Sequence, residues 1–204
     1  MSTKDHVNSI IDSTFQVIID VYKKQKEVGG VLNDTPLSRI VFPRKRMEPV
    51  RVSEQELRFI FVEQLNEEIR NGWDVFYSVE TPTLDKYYFK NNEARIDDNG
   101  QSASFDLAIH DKDYQRIALV EFKANNAGEH EHRKDYVKLM NSKEGENIAC
   151  FFIEIVQGVN SGTINSLNSK IPDNEDVVFR CFSLEEGKEI TDEVLSQNKG
   201  YAKG

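Results

Sequence analysis

Asp106, Glu121 and Lys123 stand in the stretch Ser102 to Asn125, SASFDLAIHDKDYQRIALVEFKAN, and their spacing predicts that they meet. Phe105, Leu107 and Ile109 alternate with Ser104, Asp106 and His110. Asp111-Lys112-Asp113 marks a turn, and Ile117-Ala118-Leu119-Val120 runs on as a buried strand. Glu121 and Lys123 are two positions apart, so on an extended chain both side chains leave one face while Phe122 enters the other. A hairpin folded about residues 111–113 sets the Asp106 region against Ile117 to Glu121, and the three charged groups converge. Carboxylates from neighbouring strands are hard oxygen ligands that suit Mg²⁺ or Mn²⁺, and the backbone carbonyl of Phe122 can complete such a site. A lysine beside the metal can orient or deprotonate a water, or stabilise negative charge developing on a phosphate. The chemistry this set suits is metal-assisted phosphodiester hydrolysis. The plainer alternative is that Asp106 is a strand-edge charge and that Glu121 and Lys123 form an exposed pair.

Asp106 followed, after fourteen intervening residues, by Glu121-Phe122-Lys123 resembles the motif of the PD-(D/E)XK nuclease superfamily, the fold of restriction endonucleases and archaeal Holliday-junction resolvases. Phe105 stands where that family's proline would be. The resemblance spans roughly residues 50 to 156. It implies a Mg²⁺-dependent nuclease acting on DNA, with Asp106 and Glu121 as metal ligands and Lys123 near the attacking water. In the resolvase-like relatives a glutamate of the first helix, in a Glu-x-Glu-Leu pattern, joins the active site, and Glu54-Gln55-Glu56-Leu57 looks like it. Relatives often carry a basic or amide residue on the helix after the E-x-K strand. Lys134 is the residue expected there against a phosphate, with Arg133 and Lys138 equally available. The alternative is a catalytically silent nuclease-fold module that binds nucleic acid or a protein partner.

The elements that must position these residues are legible in part. Val7, Ile10, Ile11, Phe15, Ile18, Val21 and Tyr22 fall on one helical stripe, with Lys23, Lys24 and Lys26 near its end and Gly29-Gly30 as a stop. This N-terminal helix packs on the core or joins two subunits in a homodimer. Ser53 and Glu56 have capping-box spacing for a second helix that ends near Asn71-Gly72, with Glu56 returning to the Ser53 N–H. With Leu57 at zero on a helical wheel, Phe61 falls at about 40°, Leu65 at about 80°, Glu54 at about 60° and Glu56 at about 260°. Glu54 faces inward, where a carboxylate needs a partner such as a metal or Lys123. Otherwise Glu54 stabilises the helix N-terminus or pairs with Arg58.

Trp73 to Val79 reads as the first strand, bounded by Pro82. Tyr87-Tyr88-Phe89 is a candidate short strand, and the polar loop after it, with a turn at Asp97-Asp98-Asn99-Gly100, is expected to overhang the site. A helix from about Glu129 to Met140 should turn Tyr136, Leu139 and Met140 inward. His130 and His132, about 200° apart on that helix, read as surface residues. Ile148 to Ile153 and Val177 to Phe182 read as strands, with a short helix at Ile164 to Leu167 between them. The expected fold is α/β, a central mixed sheet flanked by helices, with a restriction endonuclease-like core and an extra N-terminal helix.

Composition bounds the rest. The 204 residues suit one domain: residues 1–49 as N-terminal helix and basic loop, 50–156 as core, 157–195 as a C-terminal addition and 196–204 as a fraying tail. The start MSTKDHVNS does not read as a signal peptide, no apolar run is long enough to span a membrane, and Cys150 and Cys181 read as reduced buried thiols. A cytoplasmic protein without a membrane partner is therefore expected. A net charge of −9 argues against a general nucleic-acid-coating surface, so any DNA contact must be local. The basic segment Arg39 to Arg51 is the candidate, with Arg44, Lys45 and Arg46 on phosphates; the alternative is a solvated linker or pairing with the chain's own acids.

Overall fold

Residues 1–27, 37–43, 50–90, 93–144 and 147–196 are described by a computed structural model of the chain. The Gly29-Gly30 stop, the basic trio Arg44, Lys45 and Arg46, and the tail beyond Ser196 lie outside the described residues.

The hairpin expected around Asp106 is the centre of the sheet. β3 (Gln101–His110) and β4 (Arg116–Ala124) pair antiparallel, and β1 (Phe76–Tyr88) flanks β3 antiparallel. β5 (Ala149–Val156) and β6 (Val177–Ser183) extend β4 in parallel. Two short strands, β2 (Arg95–Ile96) and β7 (Lys188–Glu189), complete the seven-stranded mixed sheet, in order β2-β1-β3-β4-β5-β6-β7. Parallel neighbours need crossovers, and α3 (Glu129–Leu139) and α4 (Ser161–Asn168) supply them. One face of the sheet carries α1 (Thr3–Glu27) and α2 (Glu54–Arg70); the other carries α3, α4 and α5 (Thr191–Leu195). The chain is thus an α/β protein with helices on both faces and an N-terminal helix, as its pattern predicts. Both cysteines are free and buried. Among the described residues no helix is long and apolar enough to cross a membrane.

α1 is structural. Its apolar stripe, from Val7 to Tyr22, is buried in the same core as Leu57, Phe61 and the sheet residues Val120 and Phe122, and Phe15 stacks on Phe182. The stripe that suggested a homodimer is covered by the chain itself.

Several local expectations are corrected. β1 passes through Pro82 instead of ending before it. Among the described residues its outer edge is paired only at Tyr87 and Tyr88, with β2, so the missing N–H of Pro82 is tolerated on an open edge; the register against β3 shifts between Pro82 and Lys86. Tyr87 and Tyr88 are the end of that same strand, pinned by a buried carboxylate. Glu144 accepts the N–H groups of Leu84 and Asp85, the Tyr87 hydroxyl and Arg116. Ser53 is the α2 N-cap but makes no side-chain cap bond to the backbone; its hydroxyl donates to the Glu56 carboxylate. Met140 is exposed. His132 is fully buried, because residues 132, 135, 136 and 139 form the inward stripe of α3, and its Nε2 meets Glu154 Oε2 at 2.9 Å.

Candidate active site

Along β3 the alternation of faces breaks at Asp106. Leu107 and Ile109 join the core under α1 and α2, whereas Phe105 and Ala108 both join the core under α3. Asp106 sits at this twist, and its Oδ2 accepts the Phe122 N–H at 2.8 Å. A carboxylate thereby serves as ladder acceptor beyond the last β3–β4 pair, Leu107 with Val120, and satisfies an amide that would otherwise be orphaned. The position of Asp106 is tied to the Glu121-Phe122-Lys123 backbone by that bond.

Phe122 points into the core, edge-on to Phe61 of α2 with ring centroids 5.3 Å apart. Glu121 and Lys123 leave the opposite face, toward α3, and are only 2 % and 8 % exposed. They are therefore not an exposed pair. Nor do they pair with each other. Lys123 Nζ lies 2.6 Å from Asp135 Oδ2, 3.2 Å from the Phe122 carbonyl and 3.7 Å from Glu54 Oε2. Glu121 Oε1 receives Lys138 Nζ at 2.5 Å, and Lys138 also contacts Asp135 Oδ1 at 2.9 Å and the Ser104 carbonyl at 2.8 Å. Asp135 thus bridges the two lysines. On the α2 side, Arg58 Nη1 lies 2.6 Å from Glu80 Oε1 and 3.5 Å from Asp106 Oδ1.

Five carboxylates (Glu54, Glu80, Asp106, Glu121 and Asp135) face three cations (Arg58, Lys123 and Lys138), a surplus of two negative charges. Burial first, and then the neighbouring charges, set the titration of Glu121, Glu54, Lys123 and Lys138. Burial pushes the Glu121 carboxyl well above its ordinary range, and the neighbouring Asp135 and Asp106 add to the rise against the opposing pull of Lys138. Glu54 is raised chiefly by burial, with Lys123 pulling it down and Asp106 and Asp135 pushing it up. Burial disfavours the Lys123 ammonium, but Asp135, Glu54 and Glu121 outweigh it and hold the lysine protonated. The same balance raises Lys138, with Glu121 and Asp135 as the partners. Glu80 is lowered by its hydrogen bond from Arg58.

Asp106, Glu121, Lys123 and Glu54 therefore come together, from three different elements. Glu54 turns toward the site from the first turn of α2 with 43 % of its side chain exposed, which makes it the solvent-facing lip and not an enclosed group. Its alternative partner, Arg58, is occupied by Glu80 and Asp106. Lys134 is not part of the group: it pairs with Glu131 at 3.1 Å and lies 6.0 Å from the Phe89 ring centroid. Lys138, one turn further on, is the α3 lysine that enters.

Asp135 and Glu80 were not anticipated, and Arg58 was expected only as an alternative partner of Glu54. Asp135 had a signal in the sequence, because His132, Asp135, Tyr136 and Leu139 keep the i, i+3, i+4, i+7 spacing of a buried face. Its charge disguised it.

The oxygens able to hold a metal are those of Asp106, Glu121 and the Phe122 carbonyl, with Glu54 at the lip. Among the described residues no three His, Cys, Asp or Glu side chains converge closely enough to hold a metal by themselves. Asp106 Oδ2, Glu121 Oε1 and the Phe122 carbonyl each accept from a donor within the chain, whereas Glu54 has only the 3.7 Å contact with Lys123. No protein-family model, curated protein or solved structure matches the sequence.

Proposed function

We propose that this chain is a metal-dependent nuclease of PD-(D/E)XK type that hydrolyses phosphodiester bonds in DNA. The observation that supports this reading best is the convergence of Asp106, Glu121 and Lys123 at the end of an apolar strand pair, with Glu54 arriving from a separate helix. Buried charge is costly, and a core that keeps Glu121 and Asp135 against two buried lysines maintains a polar site where apolar packing would be more stable.

The donor set fits Mg²⁺ or Mn²⁺. Asp106, Glu121 and the Phe122 carbonyl offer hard oxygens, and the surplus negative charge calls for a cation. Bound there, the metal would polarise a phosphoryl oxygen and make water more acidic. Lys123 keeps its proton in this environment, so its part is to donate a hydrogen bond and offset developing negative charge, not to act as the base. Asp135 keeps the Lys123 ammonium in place. Glu54, raised by burial, sits where it can orient Lys123 at the solvent edge.

A second reading has its own support. Every carboxylate of the group is engaged by a protein cation or amide, and the lip formed by Glu54 and Glu80 is acidic, which suits a silent nuclease-fold module that binds a partner. The deciding experiment is cleavage of duplex, branched and single-stranded DNA, and of RNA, with Mg²⁺ or Mn²⁺, by wild type and Lys123→Ala. The nuclease reading expects cleavage by wild type and a loss of about two to three orders of magnitude in the variant. An inactive wild type on all substrates favours the module. Equal cleavage by both proteins places the activity elsewhere.

A further inference from the structure

Lys138 is the penultimate residue of α3, and its ammonium is enclosed by oxygens. Glu121 Oε1 at 2.5 Å, Ser104 O at 2.8 Å and Asp135 Oδ1 at 2.9 Å account for all three of its N–H donors. The side chain is 7 % exposed, with the ammonium 5.6 Å from the Phe105 ring centroid. Of these oxygens only Glu121 Oε1 also belongs to the metal donor set, so the ammonium sits where a hard cation would meet that carboxylate. We propose that Lys138 is a tethered cation seated on the metal-binding carboxylate Glu121, and that a divalent metal binds by displacing it.

The inference rests on the metal-site reading above and adds a competitor to it. Displacement is feasible because Lys138 gives up one contact of three. Asp135, three residues earlier on the same helix, and the Ser104 carbonyl retain the ammonium when Glu121 is taken. Asp135 cannot follow the metal freely, since its other oxygen holds Lys123. The metal-free protein is thus protected from the repulsion among Glu121, Asp135 and Asp106, at the cost of weaker metal affinity. Lys134, paired with Glu131 on the neighbouring face, cannot substitute.

Calorimetric titration of the full chain with Mn²⁺ alone and with Mg²⁺ alone, at neutral pH, tests this. Lys138→Gln, which leaves Glu121 without its competitor, should bind metal at least about tenfold more tightly than wild type, the equilibrium worth of one charge-assisted hydrogen bond. Lys138→Arg, which keeps the positive charge, should bind no more tightly than wild type. Should Lys138→Gln fail to fold, NMR of the lysine ammonium groups in wild type decides instead. The Lys138 signal, identified by its loss in Lys138→Arg, should shift in step with metal binding. Metal binding by wild type that is equal or weaker in Lys138→Gln, or that leaves the Lys138 signal unmoved, overturns the competition and leaves the nuclease reading standing. Absence of metal binding in wild type and in both variants overturns both.

Discussion

Asp135→Ala removes the residue that ties the two buried lysines together, and the structure sets the size of the effect. Two charge-assisted contacts are lost, at 2.6 Å to Lys123 and 2.9 Å to Lys138. Each such bond contributes about 1.5–3 kcal/mol. Part of the loss is offset. Lys138 keeps Glu121 and Ser104 O, Lys123 keeps the Phe122 carbonyl, and Glu121 is freed from a repulsive neighbour. The expected net loss is about 3 kcal/mol, at the low end for removing one member of a buried ion pair. For a chain of this size that lowers Tm by roughly 6–12 °C. Lys123 and Lys138 are both raised, so their contribution is fully present below the unfolded lysine value of 10.5 and is lost as pH rises through the folded values. Urea unfolding at neutral pH therefore captures all of it. A double-mutant cycle with Lys123→Met should give a coupling of at least about 1.5 kcal/mol. A coupling within about 0.5 kcal/mol of zero would refute the bridging role, since contacting residues in one network should not behave additively.

Glu121→Gln replaces a carboxylate whose folded pKa is raised, chiefly by burial. Stability from such a group is present below its unfolded value of 4.5 and lost as pH rises through the folded one. The variant should therefore gain stability relative to wild type as pH climbs from about 4.5 toward neutral; a difference in urea midpoint that does not change with pH would count against the assignment. Phe15→Ala should cost about 3–5 kcal/mol in chemical unfolding, because Phe15 is fully buried against Phe182. A loss under about 1 kcal/mol would make α1 an ornament on the core. Replacing Arg44, Lys45 and Arg46 together with Ala should weaken DNA binding and reduce the slope of log affinity against log salt by roughly 2–3; an unchanged slope would mean that they contact no phosphate.

By itself the sequence determined what short-range periodicity can carry. The two-residue alternation and turn of Ser102 to Asn125 located the central hairpin. The two-residue step from Glu121 to Lys123 put both side chains on one face, and the helical stripes of α1 and α2 marked their buried sides. Those inferences hold because each depends on backbone geometry within a few residues. Tertiary structure alone decided the pairings. Nothing local to Lys134 or Lys138 says which of them meets Glu121; the answer comes from how α3 crosses the sheet, and it sends Lys138 to the site and Lys134 to Glu131. His132 and Asp135 look solvent-facing by residue type, yet both are buried because Glu154 of β5 and Lys123 of β4 lie beneath them as neighbours in register. Pro82 ends a strand only where its missing N–H is needed, and among the described residues no strand pairs with the outer edge of β1 beside it. A side chain's burial depends on chain segments far away in sequence, so the cost of burying each charge, and the partner that offsets it, emerge only once the sheet is assembled.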